Sequence, residues 1–98
     1  MARKQVLVPG SVTMTGAPVA LPSVNQVTSI IFECPSTNAA KVYVGDSVTQ
    51  NISMAPGESY SLTPDNQGVG TTAYWVTDTI YLMGTASDVV QYHMTQLI

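Results

Sequence analysis

The stretch VYVGDS, residues 42–47, holds the residues of this 98-residue chain that come nearest to a reaction centre. A short apolar strand that runs into Gly-Asp-Ser presents a serine hydroxyl at a sharp turn, where it could serve as a nucleophile. Ser47 would then need a base within hydrogen-bond reach, a third group to orient that base, and donors for an oxyanion. The one histidine is His93, and the acid that precedes it most closely is Asp88, five positions earlier. Residues an odd number apart on a strand point to opposite faces, so Asp88 is badly placed to orient His93.

Gly45-Asp46-Ser47 resembles the first block of the GDSL (SGNH) hydrolases. That resemblance implies a nucleophilic serine leading into a helix, a later Gly and Asn in the oxyanion hole, and a C-terminal Asp-x-x-His. The chain departs from each of these. Residues 48–59, VTQNISMAPGES, are β-branched and then broken by Pro-Gly, which disfavours a helix. There is no Gly-x-Asn-Asp block, and the Asp–His spacing is wrong. A chain of this length also lacks room for a three-layer α/β scaffold. The sequence therefore predicts a strand end, with Gly45 relieving the backbone and Asp46 and Ser47 hydrogen-bonding their own turn. No enzymatic activity is expected.

Other chemistry is equally thin. One His and one Cys cannot complete a zinc site, and the six carboxylates lack calcium-loop spacing. Glu33 is the acid closest to an apolar stretch and so the nearest approach to a glycosidase carboxylate. Gly68-Val69-Gly70 has neither the strand before it nor the helix after it that a phosphate cradle needs. No cofactor is expected. Tyr74-Trp75 contains the only tryptophan; it reads as a contact site or sugar-stacking platform, or equally as a core anchor.

What must cover this molecule is a sharper question. Charged residues make up 9% of the chain, against about 25% in ordinary domains. Twelve threonines and nine serines supply part of the exterior, but hydrophobic residues account for 45%. Low charge beside high apolar content predicts that surface is buried against other chains, as a homo-oligomer, a trimer before a dimer. Arg3 and Lys4 sit at the N-terminus and leave Lys41 as the only other basic residue, so no basic face for nucleic acid can be assembled. No apolar run reaches the 18 or so residues of a membrane span, and MARKQVLVPG lacks a signal-peptide core; a soluble, unprocessed chain is expected. Cys34, alone, excludes an intramolecular disulfide. The candidate interface residues are Arg3, Lys4, Val6, Tyr74 and Trp75.

The elements follow a period of two, with no sustained helical periodicity. Strands are expected at Lys4–Val8, closed by Pro9-Gly10; at Ser11–Thr15; and at Lys41–Val44. Pro18–Leu21 reads as an edge or connector. Val27–Cys34 is the central strand, with Ile30, Phe32 and Cys34 on one face and Ile31 and Glu33 on the other. Residues 51–64 read as two strands about a type II turn at Ala55-Pro56-Gly57-Glu58, a hairpin or an arch. Residues 64–72 form an exposed loop. Thr79–Gly84 carries Ile80 and Leu82 on one face, and Asp88–Leu97 carries Val90, Tyr92 and Met94 on one face. Seven to nine such strands predict an all-β fold, an antiparallel β-sandwich of jelly-roll type, as one domain over residues 1–98 with a short N-terminal arm at about 1–5.

Residues 27–92 resemble small β-sandwich virion proteins of tailed bacteriophages. An apolar strand is followed by VYVG-S at Val42–Ser47, NI-M-PGES at Asn51–Ser59, and IY--GTA-D-V-Y at Ile80–Tyr92. The resemblance implies a capsid decoration (cement) protein, or a neck, tail-adaptor or fibre-associated protein, located in the virion after synthesis in the host cytoplasm. Its partners would be its own copies and the major capsid protein or another virion protein. A carbohydrate-binding or adhesin-like module is the alternative.

Overall fold

The computed structural model describes residues 4–62 and 77–97. Eight strands lie within them: β1 (Gln5–Thr13), β2 (Val19–Ala20), β3 (Val27–Glu33), β4 (Val42–Gly45), β5 (Gln50–Met54), β6 (Ser59–Leu62), β7 (Tyr81–Met83) and β8 (Val89–Leu97), with a 3₁₀ turn at Thr77–Thr79. They form two antiparallel four-stranded sheets, ordered β1-β8-β3-β6 and β2-β7-β4-β5. Successive strands alternate between the sheets except at β4–β5, which is the jelly-roll arrangement the strand pattern predicts.

Side-chain alternation decides which faces meet. In the first sheet, Val8, Met94, Ile30 and Leu62 line up across the four strands, and beside them run Gly10, Tyr92, Phe32 and Tyr60. In the second, Val19, Leu82, Val44 and Ile52 form one row. Phe32, Ile30, Leu82, Met94, Val42 and Val90 are fully buried between these faces. Each such side chain contributes about 1.5–3 kcal/mol by leaving water. Every face predicted for β3, β4, β7 and β8 is observed: Ile30, Phe32, Cys34, Val42, Val44, Ile80, Leu82, Val90, Tyr92 and Met94 are buried.

The expected boundaries of the first strand are corrected. Pro9-Gly10 does not close the first strand; β1 runs unbroken through it and pairs with β8 from Gln5↔Leu97 to Thr13↔Val89. β1 is an edge strand, where a proline can turn its missing donor away from the ladder. Gly10 is required by its neighbour, because a Cβ there would overlap the Tyr92 ring. The expected strand at Ser11–Thr15 is thus the second half of β1.

Of the two forms expected for residues 51–62, a hairpin or an arch, the structure shows the arch. The turn is as expected, with Glu58 N–H donating to the Ala55 carbonyl (2.9 Å) and a φ of +91° at Gly57. Its two strands nevertheless enter different sheets, β5 beside β4 and β6 beside β3. Gly57 N–H donates to the Cys34 carbonyl (2.7 Å) and Cys34 N–H to the Glu58 carbonyl (2.9 Å), which ties the turn to the end of β3. Thr79, expected in a strand, belongs to the 3₁₀ turn. Buried Thr77 anchors that turn: its hydroxyl donates to the Pro22 carbonyl and accepts from Val24 N–H, both at 2.7 Å. The loop expected at residues 64–72 lies outside the described residues.

Candidate interaction surface

The Gly-Asp-Ser segment is a structural turn between β4 and β5. The register slips between Val44 and Gly45, and the backbone at Thr49 and Gln50 approaches so closely that a Cβ on residue 45 would overlap the Thr49 carbonyl oxygen. Glycine is therefore obligatory there. Asp46 Oδ1 accepts from Val48 N–H (2.9 Å) and Thr49 N–H (2.7 Å), while Asp46 N–H donates to the Thr49 carbonyl (3.0 Å). The Thr49 and Val48 donors hold the Asp46 pKa below its ordinary value of 3.8. Ser47 is exposed beside this turn. His93 lies in the other sheet, on the outward face of β8 across from Pro9 and Ile31. The structure does not assemble Ser47, His93 and Asp88 into a triad.

Asp88 has a different task. It is buried just before β8, and its two carboxylate oxygens accept from Ala39 N–H (2.9 Å) and Ala40 N–H (3.1 Å). Beside it, the Asn38 amide imitates a strand: Nδ2 donates to the Val89 carbonyl (2.7 Å) and Oδ1 accepts from Val89 N–H (3.0 Å). Asn38 Nδ2 also lies 3.2 Å from the sulfur of Cys34, a free and buried thiol. These contacts clamp the β3–β4 connection to the start of β8. Nothing in the sequence pairs positions fifty residues apart, so only the fold reveals this clamp.

A polar cleft of about 310 Å³ brings Glu33 and Glu58 together with Ser36 and Ser59. Glu58 Oε1 accepts from Ala55 N–H at 2.6 Å and serves the arch turn. Both acids are exposed. Among the described residues no three His, Cys, Asp or Glu side chains gather as metal ligands. A second cleft, about 290 Å³, is walled by Val44, Ile52, Leu62 and Ile80 and is apolar throughout most of its lining.

The outer faces are more informative. On the first sheet Leu7 is 72% exposed and Ile31 43%; on the second, Tyr43 and Met83 lie across from one another at 39% and 37%. A usable signal was present in the sequence: Leu7, Ile31 and Tyr43 are apolar residues at positions whose neighbours already supply the inward face. Of the predicted interface residues, Lys4 is exposed immediately before β1, and Val6 is half-buried on the inward side of that strand. Arg3, Tyr74 and Trp75 lie outside the described residues.

No protein-family model and no curated protein matches the sequence. Among solved structures, the chain is similar to one from the Bacillus endospore appendages that form a family of disulfide-linked pili. The TM-score is 0.65 at 20% identity, over 95% of this chain and 84% of that one. The likeness shows that the two share the β-sandwich fold.

Proposed function

We propose that this chain is a non-enzymatic structural protein that acts as one of many identical copies, most specifically as a capsid decoration (cement) protein on the head of a tailed phage. The observation that carries this reading is the exposure of large apolar side chains on both outer faces, at Leu7, Ile31, Tyr43 and Met83, in a chain with three basic and six acidic residues. Buried against neighbours, these side chains replace the missing charge. The polar groups with chemical potential are already engaged: Asp46, Asp88, Asn38 and Glu58 all hold backbone. The likeness to a subunit of a surface filament and the resemblance to virion proteins both support a repeated structural role.

In this role the protein is made in the host cytoplasm and ends in the virion, bound to the major capsid protein or another virion protein and to its own copies, with a trimer as the first assignment. Each contact can be modest because many copies act together. A neck, tail-adaptor or fibre-associated protein needs the same surface and differs in copy number per particle. A filament subunit is the second reading, favoured by the fold likeness. Disulfide linkage of the kind named for those pili is poorly served here, since Cys34 is 1% exposed.

Native mass across a hundredfold dilution series, followed by cosedimentation with phage heads, tests the proposal. A persistent oligomer that sediments with heads is the expected outcome. A monomer at every concentration that binds no particle overturns it. A tryptophan emission that responds to glycans would favour the carbohydrate-binding alternative at Tyr74 and Trp75.

A further inference from the structure

β1 is the edge of the first sheet, and no described strand lies beyond it. Its hydrogen-bonding parity can be read from its continuation. Met14 N–H donates to the Asp88 carbonyl (2.7 Å) and Ser87 N–H donates to the Met14 carbonyl (2.9 Å), so even-numbered residues face β8. The backbone groups of Gln5, Leu7, Pro9, Ser11 and Thr13 therefore face away from β8, toward the side on which no described strand lies. Pro9 falls in this set, as it must in a strand that keeps its ladder, because it has no N–H to donate.

We propose that the first half of this edge pairs antiparallel with the same half of a second copy, Leu7 against Leu7 across a two-fold axis. This rests on the self-association reading above and names its surface. A row of unpaired backbone groups is a template for another strand, and an antiparallel strand is complementary to its own copy about a two-fold. Pro9 sets the register. It is the midpoint of Gln5–Thr13, so pairing the whole strand with its copy sets two proline rings face to face, with no N–H between them.

Pairing only residues 5–9 moves each proline to an end. Leu7 then exchanges both backbone hydrogen bonds with its counterpart, and Gln5 N–H donates to the Pro9 carbonyl of the second copy. Lys4 falls opposite Gly10 and not opposite a second lysine. Leu7, the most exposed large hydrophobic on any described strand, is covered by its own copy. The second half of the edge, at Ser11 and Thr13, offers no apolar side chain. Such a contact joins copies in pairs, giving a dimer, or six copies where trimers are linked.

The test uses the full chain, with native mass for the parent and Leu7→Lys and residue-resolved amide exchange for the parent. The expected result is an even-numbered oligomer in which the Gln5 and Leu7 amides exchange at least tenfold more slowly than those of Ser11 and Thr13. Leu7→Lys keeps the far-ultraviolet spectrum and halves the mass. An oligomer unaffected by Leu7→Lys, an isolated trimer, or a Leu7 amide as fast as that of Ser11 overturns this surface and leaves self-association standing. Slow exchange in a single-chain species puts part of the same chain on the edge and also overturns it. A monomer throughout removes both.

Discussion

The ring of Tyr92 lies over Gly10, its partner on the neighbouring strand, and occupies the space that a side chain at position 10 would need. A small residue on the edge strand and a large one on the central strand together fill one row of the core. Gly10→Ala is expected to destabilise the fold by about 1–3 kcal/mol through overpacking. In a Tyr92→Ala background, itself severely destabilised, the same substitution should cost far less. Urea unfolding of the four-member cycle measures the coupling, and additive effects would contradict the packing described.

Asp88→Ala leaves the Ala39 and Ala40 amides without their acceptors in a partly buried setting. A loss of about 2–3 kcal/mol is expected, and Asp88→Asn should retain part of it through the remaining carbonyl oxygen. Thermal or urea unfolding of both variants checks the order.

Asp46 links stability to acid. Its folded pKa lies below 3.8, so the unfolded chain binds the proton more readily. Its contribution is complete above that ordinary value and is lost as pH falls below 3.8 through the folded value. Asp46→Asn should therefore be less stable than the parent at pH 7, with the gap closing in strong acid. A gap independent of pH would show that the carboxylate charge is irrelevant to the turn.

Cys34, 1% exposed and beside Asn38, should resist thiol reagents in the native state. Its modification rate should rise with urea in step with unfolding; immediate labelling in buffer would place the thiol at the surface.

Ser47→Ala should leave stability within about 0.5 kcal/mol of the parent. Nitrophenyl ester turnover by the parent should not exceed that of the variant. Turnover abolished by this substitution would restore the nucleophile.

The sheets were legible because period-two alternation is enforced wherever one face is buried, as Ile30, Phe32 and Cys34 show along β3. The Gly-Asp-Ser turn was legible for a related reason: its hydrogen bonds close within four residues. What the sequence hid was long-range. Pro9-Gly10 carries the local signature of a strand end, and only the distant β8, which leaves β1 at the sheet edge for Pro9 and lays the Tyr92 ring over Gly10, makes that pair compatible with a continuous strand. The clamp of Asn38 and Asp88 depends likewise on two distant turns meeting. The outward Leu7 and Tyr43 were visible as residues, but their exposure depends on what the folded sheets leave uncovered.

The placement of β8 bears on how the chain reaches this state. It is the strand that both β1 and β3 pair with, yet it follows every strand it joins. The first sheet cannot close until residues 89–97 have left the ribosome, and its outermost pairing must bring Gln5 to Leu97. Loops of that length are closed slowly, and folding on a timescale of milliseconds to seconds is characteristic of such topologies. Through that interval the edges of β1 and β3 that β8 will cover stand open, and Pro9, whose missing donor faces the other side of β1, does not protect them.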